Sequence, residues 1–263
     1  MSPRSKCSML VTISILSLAI LFSCASRKIT DQVTPEERMD IALKWFNNGH
    51  YLDARTQFRI LTLSHGGTHL ADKAQFYLAE CHYSLKEFIL AANEYERLLK
   101  VFPNSDYVDD AKFRLGMSYY KLAPKFSLDQ EYTRQAIQIF QEFLEEYHNS
   151  DFADDVELYL SKCRQKLARK AFVAAVQYRK MSYYTASTIY LNKVLEQYYD
   201  SNFAPRAQYL LADNYMHLKE YEKAKEEALT FLEKYPQHDW SDRAGDLLEK
   251  SEKELEKQAK TQE

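Results

Sequence analysis

Residues 78–120 read LAECHYSLKEFILAANEYERLLKVFPNSDYVDDAKFRLGMSYY. Phe88, Ala91, Ala92, Tyr95, Leu98 and Leu99 recur at spacings of three and four, which predicts a helix from about Lys86 to Val101. Ala111, Leu115, Gly116 and Tyr119 form a second stripe of the same period. Between them lies Phe102-Pro103-Asn104-Ser105. Proline cannot continue the first helix, and Ser105 or Asp106 can cap the next. The break recurs along the chain as PNSDYVDDA (103–111), HNSDFADDV (148–156), DSNFAPRA (200–207) and PQHDWSDRA (236–244), with a degenerate THLADKA at 68–74. Each copy supplies turn residues, then Tyr107, Phe152, Phe203 or Trp240 (Leu70 in the weak copy), then a new helix.

The repeated unit is therefore a helix pair. Of the 263 residues 46% are apolar, enough for a sizeable core. Five glycines and six prolines are few, which suits an all-α chain. A net charge of −3 argues against a nucleic-acid partner, since such proteins are usually strongly basic.

Residues 1–23 have the form of a leader. Arg4 and Lys6 precede an apolar run, Met9–Phe22, that is short for a bilayer span. The run ends Leu21-Phe22-Ser23-Cys24, which resembles the lipobox of bacterial lipoproteins, so Cys24 is expected to carry the lipid. The alternative is an ordinary secretory signal with an incidental cysteine. Ala25 in place of Asp favours outer-membrane sorting by the same resemblance. Residues 24–33 form a polar tether that reaches roughly 30 Å when extended. Thr34-Pro35-Glu36-Glu37 opens the first helix with a capping box. Cys81 and Cys163 fall in distant predicted helices, so two buried thiols are expected rather than a disulfide.

From Thr34 onward the small and aromatic residues follow the tetratricopeptide pattern of paired helices. Ala42, Trp45, Gly49, Tyr51, Ala54 and Phe58 mark the first repeat, and Leu211, Ala212, Tyr215, Tyr221, Ala224 and Pro236 the fifth. The expected fold is an all-α solenoid of about five helix pairs. Residues 34–150 hold repeats one to three; residues 151–263 hold a long central helix, repeats four and five and a capping helix. Two irregularities stand out. A loop, residues 122–133, lengthens repeat three, and residues 152–180 contain no turn signal.

No catalytic constellation is legible. His65 and His69 in SHGGTH flank two glycines, which favours a solvated turn over a metal pair. Asp109-Asp110 and Asp154-Asp155 fall in first turns of helices, where they complement the helix dipole. Neither a cofactor nor a metal is expected. On the first helices of the amino-terminal repeats, Phe76, Tyr83, Phe113 and Tyr120 form an aromatic column that either lines a peptide-binding groove or packs within the array.

The lipobox, the short tether, five repeats, the insertion and the long helix together resemble the BamD family of outer-membrane lipoproteins. Asp129-Gln130, Thr133 and Ala136, and then Arg164, Leu167, Ala168, Ala175 and Tyr178, match its motifs; Ala171 and Ala174 depart from them. The resemblance implies a scaffold rather than an enzyme, lipid-anchored at the periplasmic face of the outer membrane. It also implies two partners: the POTRA repeats of BamA for the carboxy-terminal half, and unfolded barrel precursors for the amino-terminal repeats. The rival of similar architecture is a periplasmic envelope-division coordinator of the CpoB type, which would carry no lipid and would open with a coiled coil.

Overall fold

The computed structural model describes residues 33–262. Cys24 and nearly all of the tether lie outside them. The first helix, α1 (Pro35–Asn47), starts as its sequence dictates. Thr34 Oγ1 accepts from the Glu37 amide at 3.2 Å, and Glu37 Oε2 accepts from the Thr34 amide at 3.1 Å. Ten further helices follow among the described residues: α2 (Tyr51–Ser64), α3 (Ala71–Ser84), α4 (Phe88–Val101), α5 (Val108–Leu122), α6 (Glu131–Glu146), α7 (Ala153–Lys180), α8 (Tyr184–Gln197), α9 (Ala204–Leu218), α10 (Tyr221–Lys234) and α11 (Ser241–Gln262). Each packs on the next in chain order, so α1/α2, α3/α4, α5/α6, α7/α8 and α9/α10 are five helix pairs and α11 covers the last.

Small residues set the close approach within each pair. Ala42 and Ala54, Ala79 and Ala91, Ala212 and Ala228 are fully buried or nearly so. Phe58, Phe140 and Phe231 fill the space beside them. A polar tie also recurs between the two helices of a pair. Arg38 Nη1 donates to Gln57 Oε1 at 2.6 Å, Gln75 Nε2 to the Glu94 carbonyl at 2.9 Å and to its carboxylate at 2.8 Å, and Gln208 likewise binds Glu227. In the third pair Lys112, buried, meets Glu146 at 2.8 Å. These contacts hold the register of an otherwise apolar seam.

In four of the five pairs the turn between the helices uses one residue at positive φ; the third pair is joined by a longer segment instead. Gly49 supplies it first at +77°, and Lys86, Ser182 and Lys219 take its place at +61° to +62°. Hence α4 begins at Phe88, two residues later than the apolar period predicts. Lys86 cannot lie in the helix because it turns the chain into it.

The recurrent break joins one pair to the next. Ser105 and Ser150 do not cap the helices that follow, which have no side-chain cap. Their hydroxyls accept from the amides of Tyr107 and Phe152 at 3.2 and 3.3 Å, and donate backward to Asp72 at 2.7 Å and Asp109 at 2.9 Å. The aromatic that follows stacks on a phenylalanine one turn beyond that aspartate. Tyr107 lies 4.8 Å from Phe76, and Phe152 lies 4.7 Å from Phe113.

The long helix α7 serves two cores. Val156 and Cys163 pack with α5 and α6, while Ala171 and Ala175 pack with Leu191, Val194, Ala207 and Leu211. Its middle residues Leu167 and Ala168 meet Tyr198 and Ile137, so the two cores join through this one helix. At its centre the joint changes. Ala168 stands where the aspartate would be, one turn before Phe172, on which Phe203 packs at 5.3 Å. Ser201 Oγ accordingly has no hydrogen-bond partner among the described residues. Arg164 takes over, donating from Nε and Nη2 to the two carboxylate oxygens of Asp200 at 2.8 and 2.7 Å.

Candidate protein-binding surface

The four residues of the aromatic column separate into two kinds. Phe76 and Phe113 are 8% and 6% exposed, because Tyr107 and Phe152 cover their faces. They are joint residues, and of the two alternatives the sequence leaves open, packing within the array describes them. The signal was present in the sequence. An aromatic follows each serine at a fixed step, and only the spatial return to the previous helix was hidden.

Tyr83 and Tyr120 are half-buried. The edge of Tyr83 meets Phe88 at 5.3 Å, and the Arg114 guanidinium lies 5.3 Å from its ring centre. Arg114 Nε also reaches Glu80 at 3.1 Å, and Glu80 in turn accepts from the buried Tyr95 hydroxyl. Tyr120 packs edge-on against Tyr159 at 5.0 Å, with Lys166 Nζ 5.7 Å from its ring. Burial raises the hydroxyl pKa of both tyrosines. Both are therefore neutral near pH 7 and can donate a hydrogen bond from an otherwise apolar ring.

Other members of the first-helix stripe are interior. Met39, Met117, Ala168, Ala171 and Ala175 are buried, whereas Phe46, Tyr178, Tyr209, Asp213 and Met216 are half-buried. Near the carboxy-terminal end, Tyr209, Asp213, Met216, His217, Arg243 and Lys250 line a recess of about 330 Å³ between α9 and α11. Beside it Arg179 binds Asp213 and Asn214, and His217 stacks flat on Tyr184 at 4.3 Å.

The insertion in repeat three is an ordered strap, residues 123–130. Gln130 is buried and donates to the carbonyls of Lys125, Leu128 and Asp129, while its own oxygen accepts from Thr133 at 2.8 Å. The strap rests on α7. Lys166 and Lys170 donate to the carbonyls of Ala123 and Leu128, and Phe126 lies 4.2 Å from the Arg169 guanidinium.

Cys81 and Cys163 are free, buried thiols, as their separation predicts. Burial pushes them up to about 12 and about 11 respectively, so neither is a nucleophile near neutral pH. His65 and His69 sit in the turn between α2 and α3, and no group of three potential metal ligands occurs among the described residues. No described helix is long and apolar enough to cross a membrane.

The likeness to known families spans most of this architecture. The sequence pattern of the YfiO outer membrane lipoproteins matches residues 31–206, from the tether through the strap and the whole of α7. The chain belongs to this family. A tetratricopeptide-repeat pattern matches residues 206–238, which cover nearly all of α9 and the whole of α10. The five helix pairs of this chain are a tetratricopeptide solenoid, and the BamD resemblance read from the lipobox and repeats is the same family. No curated protein matches the chain. Among solved structures, the TPR2AB domain of yeast Sti1 in complex with pHSP90 aligns at 14% identity, covering 83% of this chain and 98% of that one, with a TM-score of 0.39. A tetratricopeptide protein from Thermus thermophilus aligns at 14% identity over 82% and 99%, with a TM-score of 0.36.

Proposed function

We propose that this YfiO-family chain is a non-enzymatic scaffold of outer-membrane β-barrel assembly, held at the periplasmic face by lipid on Cys24. The observation that carries the reading is the family match running unbroken from residue 31 to residue 206. Its carboxy-terminal half binds the POTRA repeats of BamA, and its amino-terminal repeats receive unfolded barrel precursors. Tyr83 and Tyr120 are the accessible members of the aromatic column and contact the precursor, while Phe76 and Phe113 hold the floor beneath them. Aromatic side chains suit this role because they give large contact area for little lost rotamer freedom.

Calorimetric titration of the purified protein tests both contacts. POTRA repeats and a barrel-precursor peptide should each bind, without competing. A Tyr83→Ala/Tyr120→Ala variant should lose about 1–2 kcal/mol of peptide affinity per residue and keep its POTRA affinity. Unchanged peptide affinity in that variant would remove the column as the precursor site. Failure of the POTRA repeats to bind at all would remove the assembly role.

A further inference from the structure

Residues 158–180, most of α7, carry seven basic side chains and no acidic one, in a chain of net charge −3. Two of the seven are committed: Arg164 to Asp200 and Arg179 to Asp213. The other five, Lys162, Lys166, Arg169, Lys170 and Lys180, form no ion pair among the described residues. At about 100° per residue these five fall within one sector of the helix, less than a third of its circumference. Three of them stand beside rings: Lys162 lies 4.6 Å from Tyr159, Lys166 5.7 Å from Tyr120 and Arg169 4.2 Å from Phe126. Otherwise Lys166 and Lys170 have only strap carbonyls as acceptors.

We infer that this stripe is a docking surface for an acidic, extended polypeptide segment. Cations without an ion-pair partner on one face raise the local concentration of an anionic partner and set its register, although the strap's Asp129 feels the charge of Lys170. From Lys162 to Lys180 the helix rises about 27 Å at about 1.5 Å per residue, a length that about eight extended residues span. The aromatic rings give such a segment apolar contact between its carboxylates. A flat lipid surface fits less well, because Lys166 is half-buried in the angle between α5, the strap and α7. Carbonyl and ring partners are weaker acceptors for a cation than a carboxylate, so the segment would displace them on arrival. The surface touches the proposed precursor site only at Tyr120. The inference therefore stands or falls separately from the assembly role.

The test uses the full-length protein and a fluorescent eight-residue peptide of alternating aspartate and phenylalanine. Its asparagine counterpart and phosphatidylglycerol vesicles serve as further probes. Anisotropy should show binding of the acidic peptide that weakens as salt rises, and at least tenfold weaker binding of the asparagine peptide. Lys166→Gln/Arg169→Gln/Lys170→Gln should weaken the acidic peptide at least tenfold. Because that variant loosens the strap, Lys162→Gln/Lys180→Gln, which touches no strap contact, is the second arm and should weaken it several-fold. The inference is overturned by equal affinity for the two peptides. It is also overturned by unchanged binding in the second variant, or by stripe-dependent capture on vesicles without peptide binding.

Discussion

The ring of Phe152 lies parallel to that of Phe113, centroids 4.7 Å apart and planes 14° apart, across the joint between the third and fourth helix pairs. The contact ties the aromatic of the recurrent break to the helix one pair earlier. Burial of this size stabilises the array more than it could serve a ligand. Phe113→Ala should therefore lower stability by about 3–5 kcal/mol, read as a fall in the thermal midpoint. An unchanged midpoint with weakened peptide binding would return Phe113 to the groove.

The serines of the break separate by their partners. Ser105 and Ser150 each bind an aspartate of the preceding pair, whereas Ala168 holds the corresponding position before Phe172 and Ser201 Oγ has no partner among the described residues. Ser105→Ala and Ser150→Ala should each cost about 1 kcal/mol in urea unfolding. Ser201→Ala should be neutral or stabilising, since it removes a buried hydroxyl that gains nothing. Equal costs at all three positions would show that the aspartate bond contributes little.

Much of this fold is legible in the sequence because each pair repeats the same local chemistry. The recurrent break marks the joints between pairs, the Thr34 capping box sets the first start, and the absence of turn residues foretells the length of α7. What the sequence hides is where the break residues point. Ser105 reads as a cap because caps are local, yet its acceptor is Asp72, thirty-three residues earlier. Phe76 and Phe113 stay open between groove lining and packing for the same reason, since the stacking partner lies in the next repeat. The strap reads as a mere insertion until Lys166, Arg169 and Lys170 are seen beneath it. Their basic run was there to be counted, and net charge over the whole chain conceals it.

Gly116 shows how closely two helices approach. A Cβ added there would lie 2.4 and 2.7 Å from atoms of the Phe140 ring, which is fully buried. Gly116→Ala should destabilise by about 1–3 kcal/mol despite its better helix propensity. A Gly116→Ala/Phe140→Leu pair should recover part of the loss. A stabilising Gly116→Ala would mean that α5 and α6 can part freely.

The Arg164–Asp200 pair yields a pH signature. The Arg164 hydrogen bonds, the largest influence, hold the Asp200 carboxyl below the usual carboxylate range. A depressed pKa means that the stabilisation is present above about pH 4, the unfolded value, and is lost as pH falls through the folded value below it. Asp200 is 41% exposed, so the contribution at pH 7 is about 1 kcal/mol or less. Asp200→Asn should lower the unfolding midpoint slightly at pH 7, and the difference from the parent should vanish as pH falls through the depressed folded value. A difference that persists under those acid conditions would assign the effect to packing instead of charge.

The scaffold reading is tested most directly by affinity purification of the tagged chain from native membranes, followed by mass spectrometry of everything recovered. The expected result is a mature amino terminus beginning at acylated Cys24, together with a large β-barrel protein bearing POTRA repeats. An unmodified amino terminus at another position, with no barrel protein recovered, would contradict it.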